Sequence, residues 1–248
     1  MAKKTVLITG CSSGFGKLTA QTFHANGWNV IATMRSPENE TELTQLDDVL
    51  VTRLDVTDSE SVRQAVDEGI ARFGAIDVLV NNAGFGGHAL FEQFPDETVR
   101  AMYDTNVLGT LRMTKALLPA LRASGDGLVV VIGSIAGSEA YVGGAGYNAA
   151  KFAERAFAEA LRKELFTEPV RVTEIEPGIV ETDFSLVRFE GDADRAARVY
   201  EGVEALSAQD VAECVAFVAT RPARVNIDQM VVLARDQLGA TNLNRRPT

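Results

Sequence analysis

Histidine and cysteine are scarce in this 248-residue chain, and each shortage removes a class of function. The only histidines, His24 and His88, lie far apart and not at a helical two-histidine spacing, so no metal site is expected. His24 reads as a helix-surface or capping residue, and His88 as a plain loop residue or a contact to substrate. Two cysteines cannot build a disulfide framework. Cys214 falls on an apolar helix face and reads as core. Cys11 sits in a glycine-rich turn, where a helix N-terminus could activate a thiol, but no base is near it in sequence and a small side chain that fits the turn explains it. No apolar run approaches the roughly 20 residues that span a bilayer, so no membrane partner is expected. Basic residues are in deficit, 24 Lys and Arg against 34 Asp and Glu, and the resulting charge of -10 opposes binding to phosphate backbones. Nucleic acid is therefore excluded as a partner. Seven prolines and 21 glycines, spread out, argue against a long linker. The start Met1-Ala2-Lys3-Lys4 runs straight into an apolar stretch without a leader pattern, which points to a reducing cytoplasm.

What the chain does contain is an alternation of short β-branched runs with longer amphipathic stretches. Strands are predicted at 5–9, 29–33, 49–54, 76–80, 128–132, 170–175 and 227–233. Helices are predicted at 16–25, 38–46, 59–72, 96–121, 147–165, 193–204 and 208–219. Near-continuous Val, Ile and Leu in the strands is what a parallel sheet needs when helices cover both faces. The expected fold class is α/β, a single doubly wound Rossmann domain over 1–248. Asp58 and Ser207 are helix-start residues. The irregular stretch 178–191 reads as a binding loop, a lid or a locally disordered segment.

The first strand leads into Thr9-Gly10-Cys11-Ser12-Ser13-Gly14-Phe15-Gly16 and then a helix. Glycines there let a backbone approach a pyrophosphate, and the helix N-terminus offers free N–H groups to an anion. The spacing, Gly-x3-Gly-x-Gly, is not that of the commoner fingerprint, and a tight turn that merely starts a helix is the plainer reading of it alone. The second strand runs into Thr33-Met34-Arg35-Ser36, with no acid to bond ribose hydroxyls and an Arg suited to a 2′-phosphate. NADP(H) is thus expected ahead of NAD(H), with a solvated loop charge as the competing view of Arg35. Asp55-Val56 closes the third strand, where the carboxylate could face an adenine amino group or serve a turn.

Asn81-Asn82-Ala83-Gly84 follows the fourth strand, Asn106 lies in the next helix, Ser134 closes the fifth strand, and Tyr147 precedes Lys151 by four. An i,i+4 pair shares one helix face, and an ammonium beside a phenol favours the phenolate, which suits general acid or base work. Taken alone, Tyr-x3-Lys is also an ordinary exposed pair. Together with Pro177-Gly178-x3-Thr182, these motifs resemble the short-chain dehydrogenases/reductases over essentially the whole chain. The resemblance implies a seven-stranded parallel sheet in the order 3-2-1-4-5-6-7. It implies that Tyr147 exchanges a proton with the substrate oxygen, that Ser134 fixes that oxygen, and that Lys151 bonds the nicotinamide ribose and lowers the Tyr147 pKa. Asn106 would hold a water of the proton relay. Gly10, Ser12, Ser13, Gly14, Phe15, Gly16, Asn82, Ala83, Gly84, Pro177, Gly178, Ile179 and Thr182 would contact the cofactor. A homotetramer or homodimer is implied as well, which light scattering after size exclusion would show.

The C-terminal third resembles a narrower group, the NADP-dependent serine 3-dehydrogenases and 3-hydroxy acid dehydrogenases, through Glu176-Pro177-Gly178, residues 182–192 and residues 222–227. That implies a small 3-hydroxy acid or acid semialdehyde as substrate. Arg188 is then a candidate for its anionic group, with a surface or subunit-interface charge as the rival reading. Gly86-Gly87-His88 and residues 139–146 look as much like steroid and broad-specificity carbonyl reductases. The alternatives are therefore an NADPH-dependent ketone reductase and, remotely, a dinucleotide sensor without catalysis.

Overall fold

The computed structural model describes residues 3–246; Met1 and Ala2, on which the leader reading rests, lie outside them. Strands β1 (Thr5–Ile8), β2 (Asn29–Met34), β3 (Val49–Arg53), β4 (Val78–Asn81), β5 (Gly127–Ile132), β6 (Val170–Pro177) and β9 (Gln229–Val232) form one sheet. Its order is β3-β2-β1-β4-β5-β6-β9, parallel throughout, as the resemblance implies. Side chains alternate across each strand. Val6 and Ile8 of β1 and Leu128, Val130 and Ile132 of β5 enter one apolar layer, together with Phe23 and Trp28. Leu7, Val129 and Val131 enter the opposite layer. Helices α1 (Gly14–Ala25) and α8 (Ala208–Ala219) close the first face. Helices α2 (Ser59–Phe73), α4 (Thr110–Ser124) and α5 (Ala145–Glu164) close the second.

Caps set the helix ends where expected. Asp58 accepts from the Glu60 N–H, and Ser207 forms a reciprocal capping box with Asp210. The predicted helix at 38–46 does not form. Two short 3-10 turns, Pro37–Asn39 and Leu43–Gln45, stand there instead. The Glu40 carboxylate accepts from the backbone N–H groups of Glu42 and Leu43, at 2.7 and 2.9 Å, and this local bonding competes with helical bonds.

The predicted helix 96–121 is three pieces: α3 (Asp96–Met102), a π-helical stretch (Tyr103–Gly109) and α4. Arg112 pins the wide turn, donating to the Asp104 carboxylate at 2.7 Å and to the Val56 carbonyl at 3.2 Å. The stretch 178–191 is less irregular than expected. It holds strand β7 (Val180–Glu181), paired with β8 (Leu206–Ser207), and helix α6 (Phe184–Arg188). Helix α7 (Ala193–Tyr200) follows, ending four residues earlier than predicted. The Tyr200 hydroxyl binds both Ser185 Oγ, at 2.6 Å, and the Val180 carbonyl, at 3.1 Å, which ties α7 to α6.

Candidate active site

β1 pairs with β2 on one side and β4 on the other, so the chain reverses its winding direction there and the loops after β1 and β4 open a crevice at the carboxyl edge. Two glycines shape it. Gly10 takes φ +73°, and a Cβ on Gly16 would collide with the Gly10 carbonyl and the Asn82 amide. That amide donates to the Thr9 carbonyl at 2.8 Å and the Gly10 carbonyl at 3.1 Å, locking the two loops together. Gly16 thus lies beneath the crevice, as the packing residue that lets α1 start here.

A cleft of about 590 Å³ follows the crevice. Gly10, Ser12, Ser13, Gly14 and Phe15 wall it at the start of α1, whose first N–H groups have no partners inside the helix. Arg35, Asp55 and Val56 wall it after β2 and β3, and Asn82, Ala83 and Gly84 after β4. Arg35 is exposed at the rim with no carboxylate in ion-pair range among the described residues. Asp55 is drawn below the usual carboxylate range: burial opposes this, but the Thr57 N–H and hydroxyl both donate to it, and Arg35 and Arg53 add positive charge. Cys11 is wholly buried; burial pushes its thiol up to about 12, and it donates to the Ile8 carbonyl, which leaves it inert.

The far end of the cleft reaches Tyr147, Lys151 and Thr182. Beyond them a second cavity, of about 420 Å³, holds Ser134, Tyr141, Phe184, Arg188 and Tyr200. Tyr147 lines both spaces and is only 7% exposed. Lys151, one helical turn on, donates to the Ile132 carbonyl at 2.8 Å and lies 5.9 Å from the Tyr147 ring centre. Ser134 accepts from the Ala136 N–H at 3.1 Å, which caps a 3-10 turn (Ile135–Gly137) and fixes the hydroxyl at the cavity wall. Of the four residues read as a catalytic set, Ser134, Tyr147 and Lys151 therefore converge on these two spaces, and Asn106 lines neither. Asn106, 0% exposed in the π-helical stretch, spends its amide on the Phe85 backbone, accepting at 3.1 Å and donating at 2.9 Å. Its side chain fixes the loop after β4.

Pro177, Gly178 and Ile179 border the second cavity. The Ile179 N–H is committed to Gln237 at 2.7 Å, so it is not a free donor for a nicotinamide carboxamide. Arg188 is the one charge of this cavity wall set among rings. It donates to the Tyr141 hydroxyl at 2.8 Å and lies 5.2, 6.0 and 5.8 Å from the ring centres of Tyr141, Tyr147 and Phe189. Its Nε is buried without a hydrogen-bond partner, and no carboxylate pairs with it among the described residues. His88 packs on Phe189 with ring centres 5.6 Å apart. Its pKa is lowered by burial and then by the charges of Arg188 and Arg195, which keeps the ring neutral. Sequence reasoning overlooked Tyr141, Gln237 and Glu154. The i,i+3 spacing of Lys151 and Glu154 was a readable signal; Tyr141 and Gln237 had none.

A glycine-lined helix start opposite a Tyr-x3-Lys pair, across one continuous cleft, defines a dinucleotide-dependent oxidoreductase. The model of the short chain dehydrogenase family matches residues 4–192. An uncharacterized oxidoreductase of Mycobacterium tuberculosis is 50% identical over 247 residues, 99% of this chain and 96% of the relative. An NADP-dependent 3-hydroxy acid dehydrogenase of Schizosaccharomyces pombe is 40% identical over 252 residues, covering 98% and 97% of the two chains. Among solved structures, the closed form of a serine dehydrogenase complexed with NADP+ superposes with a TM-score of 0.92 at 38% identity, covering 98% of this chain and 100% of the other. The chain belongs to the short-chain dehydrogenase family.

Proposed function

We propose that the protein is an NADP(H)-dependent oxidoreductase that interconverts a short 3-hydroxy acid, or acid semialdehyde alcohol, and the corresponding carbonyl compound. The observation that carries the substrate class is Arg188, a cation without a carboxylate partner, sharing a cavity with Tyr147. An anionic substrate would supply the missing charge. The NADP-dependent relatives are similar along their whole length, which supports the cofactor, and Arg35 offers a charge for its 2′-phosphate.

The residues fit a dinucleotide: Gly10, Ser12, Ser13, Gly14 and Phe15 wall the cleft at the uncapped N-terminus of α1, and no protein atom outside its own turn lies within 4 Å of where a Gly14 Cβ would stand, which leaves the backbone open to a pyrophosphate. Bound NADP(H) supplies the hydride carrier, and the chain supplies orientation and proton transfer. Lys151, which lines the cleft beside Tyr147, would bond the ribose hydroxyls. Ser134 holds the substrate oxygen. Tyr147 gives its proton to that oxygen in reduction, or takes it in oxidation.

A second reading, reduction of larger ketones, is favoured by the tilted Tyr147–Phe184 contact at 5.6 Å and by a cavity that exceeds a three-carbon acid. Turnover of L-serine and 3-hydroxypropionate against bulky apolar ketones, measured with NADPH and NADH side by side, separates the two. The small acids with the phosphorylated cofactor are expected to give the higher kcat/KM. Absence of activity on every small acid would remove the first reading.

A further inference from the structure

The mechanism has no use for one buried carboxylate that touches its lysine. Glu154 is 2% exposed, and its Oε2 lies 2.8 Å from Lys151 Nζ, one helical turn along α5. Lys151 therefore faces two acidic partners of unlike strength: the phenol of Tyr147, 5.9 Å away by its ring centre, and a carboxylate at contact distance.

We propose that Glu154 is a positioning residue for the catalytic pair: its carboxylate compensates the Lys151 ammonium and so weakens the field by which that ammonium favours the Tyr147 phenolate, which suits Tyr147 to donating a proton, the direction of carbonyl reduction. This rests on the reading of Tyr147 and Lys151 given above.

The physical case begins with the sign of each charge. A lone ammonium beside a phenol stabilises the phenolate and lowers the pH at which it forms. An ammonium paired with a carboxylate presents the phenol with a dipole, whose field is weaker and falls faster with distance. Burial opposes the charge of Lys151, yet Glu154 and then Tyr147 outweigh it and hold the lysine above its usual range. Burial draws the Glu154 carboxyl upward as well, against Lys151; at this separation the ionised pair prevails because lysine is by far the stronger base.

The other groups around the pair do not replace Glu154. On β6, Glu174 is pushed up to about 8, by burial and then by Glu176, so it is mostly uncharged at neutral pH. Glu176 itself is engaged by Ser138 and Gln229 and lies 3.9 Å from Arg155. From the substrate side Arg188 reaches within 6.0 Å of the Tyr147 ring and donates to the Tyr141 hydroxyl. The anion of a substrate would cancel that positive charge. Glu154 is then the one ionised carboxylate in contact with the lysine among the described residues.

The test reads the tyrosine without turnover. The ultraviolet absorbance that accompanies phenolate formation is titrated in the cofactor-free enzyme, and the Tyr147→Phe titration is subtracted to isolate one of the four tyrosines. With Glu154→Gln the Tyr147 transition is expected to move down by about one pH unit, as removal of a charge several ångströms away at an effective dielectric of about 20 implies. Glu154→Asp, which keeps the carboxylate, should restore most of the wild-type position. The acid limb of kcat/KM for alcohol oxidation should follow the same shifts. Should Glu154→Gln not fold, Glu154→Asn carries the same expectation: removing one member of a buried ion pair is destabilising, and a shorter amide still offers the Lys151 ammonium an acceptor beside the Ile132 carbonyl. A transition that stays within about 0.2 pH units of wild type, or moves upward, overturns the proposal. So does an Asp variant that shifts as far as Gln. Inactive Tyr147→Phe enzyme with an unmoved titration would spare the catalytic reading and sink this one; active Tyr147→Phe enzyme would sink both.

Discussion

Replacing Tyr147 with Phe leaves a protein that binds NADPH with near-native affinity and turns over about 10² to 10⁴ times more slowly, the span that a positioned general acid contributes. The variant is informative because the change is confined to one oxygen. The Tyr147 ring packs with Met102 and Ala136 and lies 5.6 Å from Phe184, contacts that phenylalanine retains. Its hydroxyl makes no hydrogen bond to another described residue, so removal leaves no buried partner unsatisfied and costs little stability. Fluorescence titration of NADPH and steady-state kcat, measured on one preparation, separate binding from proton transfer. Turnover within a few-fold of wild type would remove Tyr147 from the reaction.

Arg188→Leu is expected to cost about tenfold to a hundredfold in kcat/KM for 3-hydroxy acids, while activity on neutral ketones changes little. The figure is that of one or two charge-assisted hydrogen bonds, about 1.5–3 kcal/mol. Selectivity between substrates is the decisive readout, because the guanidinium also binds the Tyr141 hydroxyl and lies among three aromatic rings. Loss of that packing would depress both substrate classes together, and equal losses would return Arg188 to a structural role. The melting temperature of the variant reports the packing contribution independently.

Most of the sheet was legible because its strands are buried on both faces and so carry uninterrupted Val, Ile and Leu, a pattern with few competitors. The predicted strand at 128–132, for example, differs from β5 only by Gly127. The helix predicted at 38–46 failed because periodicity registers apolar spacing but not the Glu40 carboxylate that bonds the backbone in its place. The π-helical stretch was invisible for a related reason. Its seven residues keep a helical polarity pattern, and only Arg112, which reaches across to Val56 and Asp104, reveals the wider turn. In the site, the joint resemblance of several motifs singled out Tyr147, Lys151, Ser134 and the glycine turn, and the structure brings them around adjoining spaces. Residues brought in by tertiary structure, Gln237 against Ile179 and Tyr141 against Arg188, are distant in sequence and left no trace in it. The role of the Asn106 amide as a clamp on Phe85 was hidden for the same reason.

The small β7-β8 ladder has a consequence for how this architecture can diversify. Val180 pairs with Leu206 and Glu181 with Ser207, so the chain leaves the body and rejoins it at adjacent points. Everything between, α6 and α7 with Arg188, is a closed excursion whose two ends stay together whatever its contents. Insertions or deletions at exposed points of such an excursion do not alter the spacing of α5, which carries Tyr147, and of the strands that open the glycine-lined crevice. The excursion is therefore anchored at its base and varied at its far end: Thr182, Phe184 and Val187 face the cleft, whereas the residues beyond them can change without moving either anchor.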